Sequence, residues 1–385
     1  MSDKNVYADA NATFPVRSQH YEQVMSLLAT SDGNPSSIHA RGRDAKVALE
    51  HARTAVASML GARSTDVVFT SGATESNNLL IQGVIWKAQK PGFLPEVIVS
   101  GFEHPSVMAV VALMAERQLC KVLTAPVVDY VVTTGAVMSL ISDATVLVCV
   151  MHANNETGSI NPVYEIADTV AKKNPSIHMH VDAVQALGKI DLSEYAASSI
   201  HSASLSAHKV GGLKGSGALY IKTGTKLGLV IAGGGQERFR RAGTENLPGI
   251  ISFGIRCQEL LGQQETFTKD MAAAKMQFID GLKNIEGSEV HGQPAQTLPN
   301  TVNFHIDRVA GDDLLLNLDL CGVCASSGSA CSSGVTRPSP VLLACNQSEW
   351  VALNSIRISF TDTITSSQVE HILSVLESVT SRVRR

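Results

Sequence analysis

Residues 177–188 read IHMHVDAVQALG. A short apolar run, IHMHV, stops at Asp182, and the chain then turns polar and reaches glycine. Four other stretches repeat the pattern: DVVFT (66–70) runs into SGATESNN, EVIVS (96–100) into GFEHPS, ATVLVCVM (144–151) into HANNETG, and SASL (202–205) into SAHK. Helical spacing lies between them, as in SQHYEQVMSLLA, AKVALEHARTAVASMLG and PVYEIADTVAKKN. Alternating strand and helix predicts an α/β domain around a mostly parallel sheet. In such sheets ligands bind beyond the carboxyl ends of the strands. All five polar clusters fall at that edge, so they make one candidate site.

Beyond about residue 257 the character changes. A long polar helix (ETFTKDMAAAKMQFIDGLKNI) is followed by TVNFHI, DDLLLNLDL, SSGSACSSG, SIRISF and SSQVEHILSVLESVTSRV. We therefore expect a large domain over 16–257 and a smaller α+β domain over 258–385, with residues 1–15 joining the smaller one. A length of 385 residues suits that division. The glycine- and arginine-rich segment GGGQERFRRAGTENLPG (233–249) lies near the junction, and loops of that length are usually functional.

Hydrophobic residues make up 44% of the chain and charged residues 17%, which argues against global disorder. The net charge of -4 and the lack of a basic tract give no reason to expect nucleic acid as a partner. The start, MSDKNVYADANATFPV, has no signal-type apolar run, and no segment approaches the ~20 apolar residues of a membrane span. The expectation is a soluble, cytosolic protein. Seven cysteines at loose spacing make no disulfide framework. Cys321 and Cys324 form a lone CxxC, without the second pair a zinc site needs, so no metal is expected.

Lys209 follows a strand end and precedes a glycine-rich turn. An amine there forms a Schiff base with an aldehyde if its surroundings lower its pKa; alone, it reads equally as a solvated surface lysine. Asp182 ends a strand expected to be buried, where a carboxylate needs a cationic partner. The protonated pyridine nitrogen of pyridoxal phosphate is one such partner. Capping an AVQAL helix is the plainer alternative for Asp182. SGATESNN offers backbone N–H groups, the Thr74 hydroxyl and a helix start, which together make a phosphate seat. His104, in EHPSV, can stack on an aromatic ring or carry a proton. Only the functional readings converge on one object, a phosphorylated aromatic aldehyde.

Nine motifs stand in one order: GNPSSIH, FTSGATESNN, EHPSV, HANNETG, HVDAVQ, SAHK, GGGQE…RAGTEN, SSGSACSSG and SIRIS. In this the chain resembles the cysteine desulfurases of the NifS/IscS type, within the class V aminotransferases. The resemblance implies an aspartate-aminotransferase-like large domain with a smaller α+β domain, and pyridoxal 5'-phosphate as cofactor. By motif, Lys209 resembles the lysine that holds the cofactor, Asp182 the partner of its ring nitrogen, and Gln185 the partner of its ring hydroxyl. His104 would stack on the ring and assist proton transfer, with Asn155 near the ring oxygen and substrate. Ala73, Thr74, Ser206 and His208 would hold the phosphate. Thr244 would reach the phosphate of a neighbouring subunit, which implies a homodimer. Arg357 would clamp the carboxylate of L-cysteine, with Asn34 helping; only a guanidinium offers that planar fork. Cys331 matches the nucleophile, which would take the sulfur as a persulfide and pass it to an acceptor protein, for iron–sulfur cluster assembly or another thiolation pathway.

A serine- and glycine-rich loop suits a thiol that must reach both pocket and acceptor, so residues 326–338 are expected to be mobile. Three departures from the family pattern stand out. Leu213 replaces the usual proline, suggesting a looser loop. The usual GRFTT is missing after Arg357, and His201 stands where relatives have an acidic residue. The nearest alternatives are a selenocysteine lyase or another class V enzyme; a non-catalytic scaffold and a thiol redox protein using Cys321 and Cys324 fit less well.

Overall fold

The structure is a computed structural model and describes residues 5–327 and 337–383. The chain opens with strand β1 (Val6–Tyr7) and helices α1 (Ser18–Thr30) and α2 (Ala40–Ser58). Next come β2 (Val67–Thr70), α3 (Ala73–Ala88), β3 (Glu96–Ser100), α4 (Pro105–Glu116), β4 (Lys121–Ala125) and α5 (Thr134–Met138). β5 (Thr145–Cys149), α6 (Val163–Lys173), β6 (His178–Asp182), β7 (Ser202–Ser206) and β8 (Gly217–Ile221) complete the first half. Helix α7 (Leu247–Leu282) leads to β9 (Ser288–His291), β10 (Thr301–Ile306), α8 (Gly311–Leu320), β11 (Val323–Cys324) and β12 (Ser326–Ser327). The chain ends in α9 (Pro340–Ala344), α10 (Glu349–Asn354), β13 (Ile356–Ser359) and α11 (Ser366–Val383).

A seven-stranded sheet runs β2-β8-β7-β6-β5-β3-β4. It is parallel except for β8, which runs against both its neighbours. The expected mixed α/β architecture is therefore present. A second sheet, β12-β13-β10-β9, is antiparallel, and β1 pairs with β11. On one face of the large sheet, Met179, Val181, Ala203 and Leu205 pack with apolar residues of α2, α6 and α7. On the other face an apolar cluster joins α3 and α4 to β2, β3, β5 and β8 but takes nothing from β6 or β7. Those two central strands carry His178, His180, Asp182, Ser202, Ser204 and Ser206 at alternate positions, all buried. Alternate side chains of a strand share a face. A polar stripe thus divides an otherwise apolar face.

The boundary expected at 257/258 falls inside α7, one continuous helix of 36 residues. Its first part buries Phe253, Cys257 and Leu260 in the large-sheet core, and its last part buries Ala274, Phe278 and Leu282 beneath the smaller sheet. The intervening polar residues are solvated helix surface, which reads in sequence like a junction. Val6 and Ala8 pack in the second core. No helix among the described residues is long and apolar enough to cross a membrane.

Candidate active site

Lys209 ends a single turn of helix that follows β7. Its ammonium donates to the backbone carbonyls of Asn11 (2.7 Å) and Ala12 (2.9 Å), and no carboxylate pairs with it among the described residues. Burial, with Arg357 adding repulsion, pulls its pKa down to about 8. That is the poise a Schiff-base amine needs.

Asp182, the last residue of β6, is buried. Oδ1 accepts from the Val184 N–H at 3.1 Å and Oδ2 from Asn77 Nδ2 at 3.0 Å. It forms no ion pair among the described residues. The AVQAL stretch is a series of turns rather than a helix, so Asp182 caps a turn with one oxygen and keeps acceptor capacity on the other. Gln185 donates to the Asn11 carbonyl (3.0 Å) and accepts from Lys189 Nζ (2.8 Å).

His104 caps α4, with Nδ1 accepting from the Ser106 N–H (3.1 Å) and facing Ser106 Oγ (2.8 Å). As a whole residue it is exposed. Burial of its inner edge and the nearby Lys209 lower its pKa, and Asp182 opposes them.

The start of α3 lies where three strands end in register, Thr70 opposite Gly217 and Gly217 opposite Ser206. A Cβ on Gly217 would sit 2.6 Å from Gly72 Cα, so only glycine lets the turn before α3 close onto β8. Gly72 offers no side-chain cap, which leaves the first N–H groups of α3, at Ala73 and Thr74, for a ligand. Ser206 flanks that turn, and His208 bonds Thr13 Oγ1 (3.1 Å) with its pKa pushed down to about 4, chiefly by burial. Asn34 and Thr244 are exposed and share no hydrogen bond with these residues.

Arg357, in β13, is buried. Nη1 donates to the Asn155 carbonyl (2.7 Å) and Nη2 to Asp9 Oδ1 (2.5 Å), while Nε has no partner among the described residues. Asn303 stands opposite Arg357 on β10, buried, with its amide equally unpartnered. Cys331 lies outside the described residues. Residues 328–336 of the segment expected to be mobile likewise lie outside the described residues; before them Ser326 and Ser327 pair with β13, and just past the segment Ser339 Oγ donates to buried Glu156 at 2.5 Å.

The aminotransferase class-V family model matches residues 6–372. The chain is 38% identical to the cysteine desulfurase IscS of Methanosarcina thermophila over 99% of its own length and 93% of that protein's. It is 37% identical to the IscS of Dictyoglomus turgidum, over 99% and 96%. Among solved structures, a NifS-like protein superposes with a TM-score of 0.90 at 32% identity, covering 98% of this chain and all of that one. SspA in complex with cysteine follows with a TM-score of 0.81 at 30% identity, covering 93% and 99%. The chain belongs to the class-V aminotransferases, among their cysteine desulfurases.

As a cysteine desulfurase it departs from the family pattern where the sequence suggested, but with a different outcome at Leu213. The loop after Lys209 is not loosened there. The Leu213 N–H, which a proline would lack, donates to buried Ser252 Oγ at 2.8 Å. The segment replacing GRFTT places Asp362 between Arg256 (2.6 Å) and Arg17 (2.8 Å). His201 accepts the Met179 N–H through Nδ1 (3.1 Å) and lies against His178.

Sequence reading missed several members of the desulfurase site. Asn11 is a hub: its carbonyl takes both Lys209 and Gln185, and its side chain meets Lys189, Asn300 and Thr301. Lys189 is buried beside Gln185, its pKa pushed down to about 7. Asp9 already occupies one arm of Arg357. Asn77 touches Asp182 and Ser106 at once. The spacing of Gln185 and Lys189, four apart after a strand end, was the available signal for the lysine.

Proposed function

We propose that this desulfurase uses pyridoxal 5'-phosphate to remove sulfur from L-cysteine, giving L-alanine and a persulfide on Cys331. The observation that carries the reading is Asp182: a buried carboxylate with two neutral donors and, among the described residues, no cation paired with it. A buried charge requires a partner, and a protonated pyridine nitrogen supplies one. Lys209, its pKa lowered to about 8 so that about half of it is neutral at that pH, would hold the cofactor, and Gln185 would meet the ring hydroxyl. The uncapped start of α3 with Ala73, Thr74, Ser206 and His208 would seat the phosphate.

When bound, the cofactor supplies an electron sink beside the substrate's α-carbon. The chain's own residues do the rest. Lys209 and His104 would move the protons, Nε2 of His104 being the nitrogen left free by the Ser106 contacts. Arg357 would hold the substrate carboxylate, exchanging Asp9 for it, with Asn155 and Asn34 beside it. The Cys331 thiolate would attack the substrate sulfur. As the S–S bond forms, the Cβ–S bond breaks, and its electron pair stays on carbon, which is protonated to alanine. The persulfide then passes to an acceptor protein, for iron–sulfur cluster assembly or another thiolation pathway. Exposed Thr244 fits a role across a homodimer interface. The large unit would comprise 16–257 and the small unit 1–15 with 258–385, in a cytoplasmic enzyme.

Two variants test the reading. Lys209→Ala should abolish the visible absorption of lysine-bound cofactor. Cys331→Ser should keep that absorption and lose sulfide release from cysteine. Normal desulfuration by Cys331→Ser would defeat the persulfide assignment.

A further inference from the structure

The polar stripe on β6 and β7 is an anomaly. Strands covered on both faces are ordinarily apolar throughout, yet these two bury two histidines, three serines and an aspartate under α3. No side-chain nitrogen or oxygen of these residues is buried without a partner among the described residues.

The hydrogen bonds have a direction, and it can be read from Asn77. Its Nδ2 lies 2.8 Å from Ser106 Oγ and 3.0 Å from Asp182 Oδ2. An ionised aspartate can only accept, and a primary amide has two hydrogens, so both are spent and Oδ1 must accept. It accepts from His180 Nε2 at 2.9 Å. A neutral imidazole with its proton on Nε2 has Nδ1 as acceptor, and Ser202 Oγ lies 2.8 Å from it. Ser202 in turn receives from His178 Nε2 at 2.8 Å. Every donor from His178 onward therefore points at Asp182. The second hydrogen of Asn77 goes to Ser106, whose hydroxyl proton then turns to His104 Nδ1. One amide thus serves both the carboxylate and the histidine that flank Lys209.

We propose that His178, Ser202, His180 and Asn77 form an aligned donor train that positions Asp182 and His104 for the cofactor chemistry. All four are positioning residues, acting through the two groups that would meet the cofactor. Burial keeps His180 down at about 3 and His178 well below the ordinary imidazole value. Both stay neutral at physiological pH, so the train does not reverse. Aligned hydrogen bonds in a low-dielectric interior polarise one another, which strengthens the last bond to Asp182. That bond keeps the carboxylate aimed, with acceptor capacity to spare for a pyridinium proton.

The inference rests on the cofactor reading above, and the experiment separates the two. The cofactor-loaded enzyme is compared with His180→Leu, His180→Gln and Ser202→Ala by absorption spectrum, by its pH titration, and by kcat and KM. Losing a hydrogen bond that serves a charged group corresponds to about a tenfold effect. We expect His180→Leu to shift the visible band or its titration midpoint and to lower kcat about tenfold while KM changes less than about twofold. His180→Gln, whose amide can still donate to Asn77, should recover most of both. Ser202→Ala should move the same observables in the same direction by less. An unshifted band and midpoint in His180→Leu, or a glutamine variant no better than leucine, overturns the train. If His180→Leu does not fold, an unchanged spectrum and kcat in Ser202→Ala overturns it. A wild-type protein with no band removable by Lys209→Ala overturns the cofactor reading and this inference with it.

Discussion

Strands β6 and β7 present two unlike faces within the same ten residues. Toward α2, α6 and α7 they show Met179, Val181, Ala203 and Leu205, anonymous contributors to a core. Toward α3 they show histidine, serine and aspartate, of which His178, His180, Asp182 and Ser202 have named partners. The first face makes the sheet stable and the second makes it specific. Hydrophobic packing tolerates replacement by anything of similar volume, whereas a buried polar chain is satisfied as a whole or not at all.

The largest expected effect is the response to acid, to which the polar face contributes His178 and His180 and the apolar face no titrating group. Burial lowers the pKa values of His20, His104, His152, His178, His180, His201, His208 and His291. A base depressed in the fold takes up its proton on unfolding, so the stabilisation is present above the unfolded value near 6.5 and is lost as pH falls towards 4. Glu103, pushed up to about 8 by burial, and Glu156, also raised, offset part of this. Denaturant titrations of the cofactor-free protein at pH 7, 5.5 and 4.5 should show falling stability, with a shallower fall in His180→Leu. A flat profile would remove the buried histidines from the acid response, and an undiminished fall in His180→Leu would remove the polar face from it.

A smaller effect belongs to the apolar side. Leu205→Ala should cost about 2–5 kcal/mol in unfolding free energy while leaving the cofactor absorption in place. A spectral change there would mean that the two faces are not separable. The smallest effect belongs to Ser204, whose hydroxyl lies 3.4 Å from His180 Nε2, already engaged by Asn77. Ser204→Ala should change stability by less than about 1 kcal/mol and leave the spectrum unmoved. A large loss would place Ser204 in the train.

The strand ends, and with them Lys209, Asp182 and His104, were legible because a run of apolar residues breaking into a polar cluster is a local signal. The turn into α3 was legible for the same reason. Asn77 was not, since one asparagine in SGATESNN looks like its neighbour Asn78, which bonds only Thr74 and Gln82 of its own helix among the described residues. The alternation His178-His180-Asp182 and Ser202-Ser204-Ser206 was in view, but a period of two gains meaning only once both faces are known to be buried. Asp9 and Asn11 reach the site from the far end of the chain, and nothing local announces that. Continuity of α7 was hidden by its own solvated middle.

That helix has a mechanical consequence. It starts three residues after Thr244 and ends beneath the sheet that carries Arg357. At about 1.5 Å per residue it is roughly 54 Å long, and its ladder of backbone hydrogen bonds makes it stiff along its axis. It works as a lever: a tilt of about 5° at one end carries the other by about 5 Å. A small shift of the loop before α7 would thereby be felt at the sheet that carries Arg357.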